Sequence, residues 1–159
     1  MAIVSLAQAR AHVRVEADYP AEQLQAAIDG AQDAAQAYLN RAVYEDAAAL
    51  AAARDGYPEA MGAAARTRDA SLAEAVFIED LVERTAAIDL AKLQYREAAA
   101  AADRCIHGIV VNPSIQAAVL LIVGHLYANR SAVVTGTIST EVDLGSKSLL
   151  RPYRRVMMP

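Results

Sequence analysis

The sequence predicts a mainly α protein: a helical bundle with a long central helix, a buried helix in the C-terminal half, and a short β arm or hairpin. Three observations carry this. Alanine supplies about a quarter of the residues, and no residue has a better intrinsic helix propensity. Apolar residues recur at spacings of three and four over most of the chain, the signature of helices with one buried face. After Arg130 that spacing gives way to the β-branched, alternating AVVTGTISTEVDL, which reads as strand with Gly136 at a turn.

The elements follow in order. Ser5 stands where a helix N-cap belongs, ahead of LAQARAHV, and its hydroxyl can accept a bond from an otherwise unpaired helix N–H. Leu6, Ala9 and Val13 share a face, so this first helix is short and ends near Val15. A DYP turn follows, and Pro20 suits the first position of a helix. The next helix places Leu24, Ala27, Ile28, Ala31, Ala35, Tyr38 and Leu39 on one stripe. Residues 44–69 are broken by DGYP and by Gly62, and read as two short helical pieces or a loop. Asp69 or Ser71 then caps a long helix, in which Phe77, Leu81, Ile88, Ala91, Tyr95, Ala98, Ala102 and Cys105 form a heptad-like seam. The residues IVVNP are extended, because the residue before a proline avoids the helical region. Asn112 caps and Pro113 opens SIQAAVLLIVGHLYANR, a helix apolar almost all round and so expected to be the most buried. Ser146 caps a last short helix before the tail RPYRRVMMP.

Composition bounds the function. A chain of 159 residues is read as one domain, long enough to bury a core. Alanine side chains let helices approach closely but bury little area each, which favours oligomerisation. The formal net charge of −4 argues against sequence-independent DNA binding through a basic surface. Cys105 is the single cysteine, so no intrachain disulfide forms and a reducing compartment is expected. The N-terminus lacks the basic start and long apolar core of a signal peptide. The longest apolar run, residues 117–124, falls far short of the ~20 residues that span a bilayer. A soluble protein without a membrane partner is expected.

No pattern carries enzyme chemistry. His12, His107 and His125 fall in separate elements without HxxxH or HExxH spacing, so converging metal ligands are not expected. Glu79, Asp80 and Glu83 cluster on the long helix beside Arg84, as a solvated face does. There is no GxSxG, Walker loop or GxGxxG, and LGSKS lacks the P-loop spacing. No cofactor is expected. Two stretches ask for another explanation. In residues 124–136, His125, Tyr127, Asn129 and Arg130 close an apolar helix just before Val133 and Val134. In residues 149–155, Leu149 and Leu150 precede three arginines, Arg151, Arg154 and Arg155, set around Tyr153. That second pattern fits a hook with apolar anchors and cationic contacts to an acidic surface; a contact to nucleic acid is the alternative.

Two blocks resemble the head–tail connector, or adaptor, family of tailed bacteriophages. SLAQARAHVRVEADYPAEQLQAAIDGAQDAAQAYLNRAV is similar to the family's N-terminal helices. NPSIQAAVLLIVGHLYANRSAVVTG followed by GSKSLLRPYRR is similar to its C-terminal half: a proline-opened apolar helix, an arm, and a closing l-l-x-p-y-r. The matched segments are residues 4–43 and 112–155. Position 40 is Asn where the family commonly has Gly, a tolerable exchange because Asn also accepts left-handed backbone. Residues 44–111 match nothing in the family pattern and form an atypical helical insert within a single connector domain of residues 1–159, with 131–145 as the arm and 146–159 as the docking segment.

The resemblance implies a structural virion protein, assembled in the host cytoplasm into a ring, generally of twelve subunits, below the portal. Such a ring extends the DNA channel, passes DNA without reading its sequence, and offers a platform for a tail-completion or stopper protein. Leu149, Leu150, Arg151, Tyr153, Arg154 and Arg155 are then expected to meet the portal protein. Tyr127, Asn129, Arg130, Val133 and Val134 are expected to fix the arm and the subunit contact. A small helical DNA-binding or regulatory protein using the basic tail is the alternative.

Overall fold

The computed structural model describes residues 3–16, 19–129 and 143–156. The protein is mainly helical. In chain order the described residues form α1 (Leu6–Val13), α2 (Ala21–Leu39), β1 (Val43–Tyr44), α3 (Ala47–Asp55), α4 (Tyr57–Ala75), α5 (Leu81–Ile106), β2 (Ile109–Val110), α6 (Pro113–Ala128) and α7 (Asp143–Leu150), followed by a 3-10 turn (Arg151–Tyr153). The chain packs as two units, one of Met1–Asp46 with Ile109–Pro159 and one of Ala47–Gly108.

The first unit is built on the packing of α2 against α6. Leu24, Ile28, Ala31, Ala35 and Leu39 of α2 meet Ile115, Ala118, Val119 and Val123 of α6, all of them buried. Alanines at the centre of both stripes let the two helices come close. Each end of these helices has a local cause. Asn112 accepts the Ile115 N–H at 2.9 Å, with Pro113 in the first turn, where its missing donor costs no bond. Asn40 closes α2 in the left-handed region at φ 53, and its N–H bonds back to the last turn. Of the standard residues other than glycine, Asn and Asp tolerate that conformation best. In α1, Ser5 and Gln8 form a reciprocal capping box, each bonding the other's backbone N–H, at 3.2 and 2.9 Å.

Two glutamines fasten the start of the chain. The Ile3 N–H donates to Gln32 Oε1 of α2, and Gln116 Nε2 of α6 donates to the Ile3 carbonyl at 3.4 Å. Both backbone groups of a buried residue are thereby satisfied, which avoids the cost of burying them unpaired. Gln32 is itself buried, so the polar side chain within the α2 stripe has a structural reason.

The described strand pairing lies where the second unit leaves and returns. Val43 pairs with Ile109 and Tyr44 with Val110, in parallel. Parallel neighbours need a long crossover, and here α3, α4 and α5 supply it. IVVNP is extended, as its proline predicts. The expected arm at 131–145 is different: residues 131–142 lie outside the described residues, and residues 143–145 open α7.

Several sequence expectations are corrected. Residues 44–69 take the helical of the two forms expected, with α3 and α4 separated by Gly56 alone and Pro58 in the first turn of α4, but α4 is longer than expected and runs to Ala75. The long helix expected from residue 69 or 71 is two helices, with a turn over residues 76–80. Asp80 caps α5 by accepting the Glu83 N–H at 2.8 Å. Arg84 donates to the Ile78 carbonyl from Nε and Nη2, at 2.8 and 2.6 Å. Asp80 is thus a cap and Glu79 a turn residue, rather than members of one carboxylate face. The heptad-like seam is correspondingly uneven, since Ala91 is buried while Phe77 and Leu81 are exposed. Ser146 lies inside α7, buried, and does not cap it. The helix α6 buries one stripe, with Leu121 and Leu126 exposed.

The second unit is a hairpin of α4 and α5 braced by α3. Its fully buried apolar side chains are Ala75 and Ala91, so polar contacts supplement a thin core. Arg68 stacks 4.5 Å from the Tyr95 ring centroid and bonds Asp69 at 2.7 and 2.9 Å. Arg54 Nε donates to the Ile106 carbonyl at 3.0 Å.

Two substitutions check this description. Asn40→Val should lower stability by about 1–2 kcal/mol through left-handed strain, whereas Asn40→Gly should hold it, both read by urea unfolding. Asp80→Ala should cost about 1 kcal/mol, seen as a lower thermal midpoint in circular dichroism.

Candidate functional site

The C-terminal segment is placed by its own apolar residues. Leu150 is 1 % exposed within the core of the first unit, and Leu149 and Tyr153 pack partly buried against the same core. The two leucines and the tyrosine therefore anchor the segment to its own chain. Leu150, expected among the portal contacts, is instead buried in its own chain's core, and Leu149 is half-buried beside it. Burying a leucine contributes about 1.5–3 kcal/mol, enough to hold the short helix α7 in place.

Past Leu150 the chain turns through Arg151–Tyr153 and runs across the C-terminal end of α2. The Arg155 N–H donates to the Leu39 carbonyl at 2.9 Å, satisfying one of the carbonyls that a helix end leaves unpaired. The Arg154 guanidinium lies 5.2 Å from the Tyr38 ring centroid, a cation–π contact. Cations at a helix C-terminus are also favoured by its partial negative charge. The segment is thus a built feature of the fold, and it leaves Arg151, Pro152, Arg154 and Val156 exposed. With Lys147 and Arg155 it carries four cationic residues and no carboxylate between residues 147 and 156.

The end of α6 is also accounted for locally. Tyr127 packs edge-on against Tyr19, with centroids 5.5 Å apart and an interplanar angle of 69°. It is part of the first unit's packing and half-buried there. Asn129 folds back over the helix end: its N–H and Nδ2 donate to the His125 carbonyl at 3.0 and 3.1 Å, and Nδ2 lies 3.3 Å from His125 Nδ1. It pins the point where the chain leaves the helix. Arg130, Val133 and Val134 lie outside the described residues. Gly124 faces the His12 ring, which would lie 3.4 Å from a Cβ built there.

The sequence alone does not reveal the exposed tip of the second unit. Phe77 is 85 % exposed and Val82 77 %, with Val76 and Leu81 close behind. An open groove runs along Leu81, Val82, Thr85, Ala86 and Asp89. The signal was present as Asp80-x-x-Glu83, a cap signature that starts a new helix and turns the preceding apolar residues outward.

Among the described residues, no three His, Cys, Asp or Glu side chains come together to hold a metal ion, and no helix is long and apolar enough to cross a membrane. Comparison with protein-family models, with curated proteins and with solved structures gives no match.

The division between anchor and face is measurable. Leu150→Ala should destabilise the protein by about 2–5 kcal/mol, while Arg151→Ala should change stability by less than about 0.5 kcal/mol, both by urea unfolding.

Proposed function

We propose that this chain is a structural virion protein of a tailed phage, an adaptor that assembles as a ring between the portal and the tail. The observation that carries it is the C-terminal segment. It is held by Leu149, Leu150 and Tyr153, tied to the end of α2, and it presents Arg151 and Arg154 outward. A rigid cationic face suits recognition of an acidic protein surface, because little ordering entropy is lost on docking. The order of the two sequence blocks that resemble connector proteins supports the same function.

In this account Arg151 and Arg154 make the portal contacts, with Arg155 beside them. The leucines and the tyrosine keep the arginines in register. The ring requires a heterologous interface, in which one face of each subunit meets a different face of its neighbour. The chain's acidic balance of −4 is suited to lining a DNA channel, where strong attraction would retard passage. The ring then offers its far side to a tail-completion or stopper protein.

Arg151→Glu with Arg154→Glu tests the assignment. The double variant should fold normally by circular dichroism and lose co-sedimentation with portal rings of the same phage. Undiminished portal binding would refute the docking role. Binding of the wild-type chain to duplex DNA, with an affinity falling steeply with salt, would favour the nucleic-acid alternative.

A further inference from the structure

The hairpin tip combines two properties that no contact in its own unit absorbs. Val76, Phe77, Leu81 and Val82 are each about two-thirds or more exposed, grouped within seven residues across one turn. Single exposed apolar residues are ordinary, but a contiguous group rimmed by polar residues marks an interaction surface. The rim has one sign. Between residues 74 and 90 stand five carboxylates, Glu74, Glu79, Asp80, Glu83 and Asp89, against the single cation Arg84, a formal charge of −4. Arg84 is turned inward, with both its bonds on the Ile78 carbonyl, so the outward side is apolar and anionic.

The complementary surface is present on the same chain. On the C-terminal segment Arg151 and Arg154 stand exposed, with no acid between residues 147 and 156. Val156, 76 % exposed, adds an apolar residue beside the exposed Arg151 and Arg154. Two tips facing each other would set carboxylates against carboxylates, and two C-terminal faces arginines against arginines. Only the unlike pairing joins opposite charges and buries the apolar groups together.

We propose that the hairpin tip of one copy binds the C-terminal basic face of a second copy. The contact is heterologous, so a tip and a face remain free at the two ends of any chain of copies, and association continues until a ring closes. The proposal does not rest on the adaptor function, and its test uses no portal. Both readings draw on Arg151 and Arg154; charge reversal at the tip leaves that face intact, and so tests the contact between copies alone.

Sedimentation velocity of the full chain, over about a hundredfold range of concentration, reads the contact. The wild type should self-associate. Arg151→Glu with Arg154→Glu, and separately Glu79→Lys with Glu83→Lys, should each weaken association at least about tenfold; all four positions are exposed, and circular dichroism checks that both variants keep their helices. Mixing the two variants should restore association, because one retains an acidic tip and the other a basic face. A wild type that stays monomeric, association that survives reversal of the basic face, or a mixture that stays monomeric would each overturn the proposal.

Discussion

The first unit depends on the contact between α2 and α6. Two helices approach through Ala31, Ala35 and Ala118, and larger residues, Leu24, Ile28, Ile115, Val119 and Val123, close around them. Alanine at the crossing gives little buried area of its own, but it brings the flanking aliphatic side chains within reach of both helices. The remaining pieces attach to this pair. Gln32 on one helix and Gln116 on the other hold the two backbone groups of Ile3. Leu150 enters the same core, and the end of α2 receives the Arg155 N–H. Loosening the helix pair would therefore release both ends of the chain.

The second unit follows a different economy. Its helices are rich in alanine, Ala75 and Ala91 are its fully buried apolar residues, and its stability draws on helix propensity, an N-cap and arginine contacts to backbone and ring. Four of its larger apolar residues, Val76, Phe77, Leu81 and Val82, stand exposed at the tip. A fold that can bury Phe77 or Val82 gains from doing so, and their exposure on an ordered, capped turn points to a surface made for contact. The same division appears at the C-terminus of the first unit, where leucines turn inward and arginines outward.

Much of the fold was legible in local chemistry. Ser5 and Asn112 were read as caps and act as caps, Asn40 adopts the left-handed backbone its residue type allows, and the extension before Pro113 becomes β2. These signals are short-range, fixed by bonds within a few residues. What escaped depends on distant partners or on phase. The apolar spacing runs without interruption from Val76 through Leu81, so periodicity alone concealed the turn that Asp80 caps. The pair Leu149–Leu150 announced burial without saying in which molecule, and only the core under α6 settles that they face inward. Tyr127 likewise packs on a ring distant in sequence, that of Tyr19. The arginines of the candidate site were found in the sequence; the α2 carbonyl and the Tyr38 ring that position them lie more than a hundred residues away along the chain.

The proposed adaptor function rests on anchor and face together: a helical body and a cationic segment fixed to it. Electron microscopy of portal rings incubated with the purified protein tests that function most directly. The account predicts an added ring of density on one side of the portal, with rotational symmetry that can be counted in axial views. Portals that remain bare at saturating protein would contradict it.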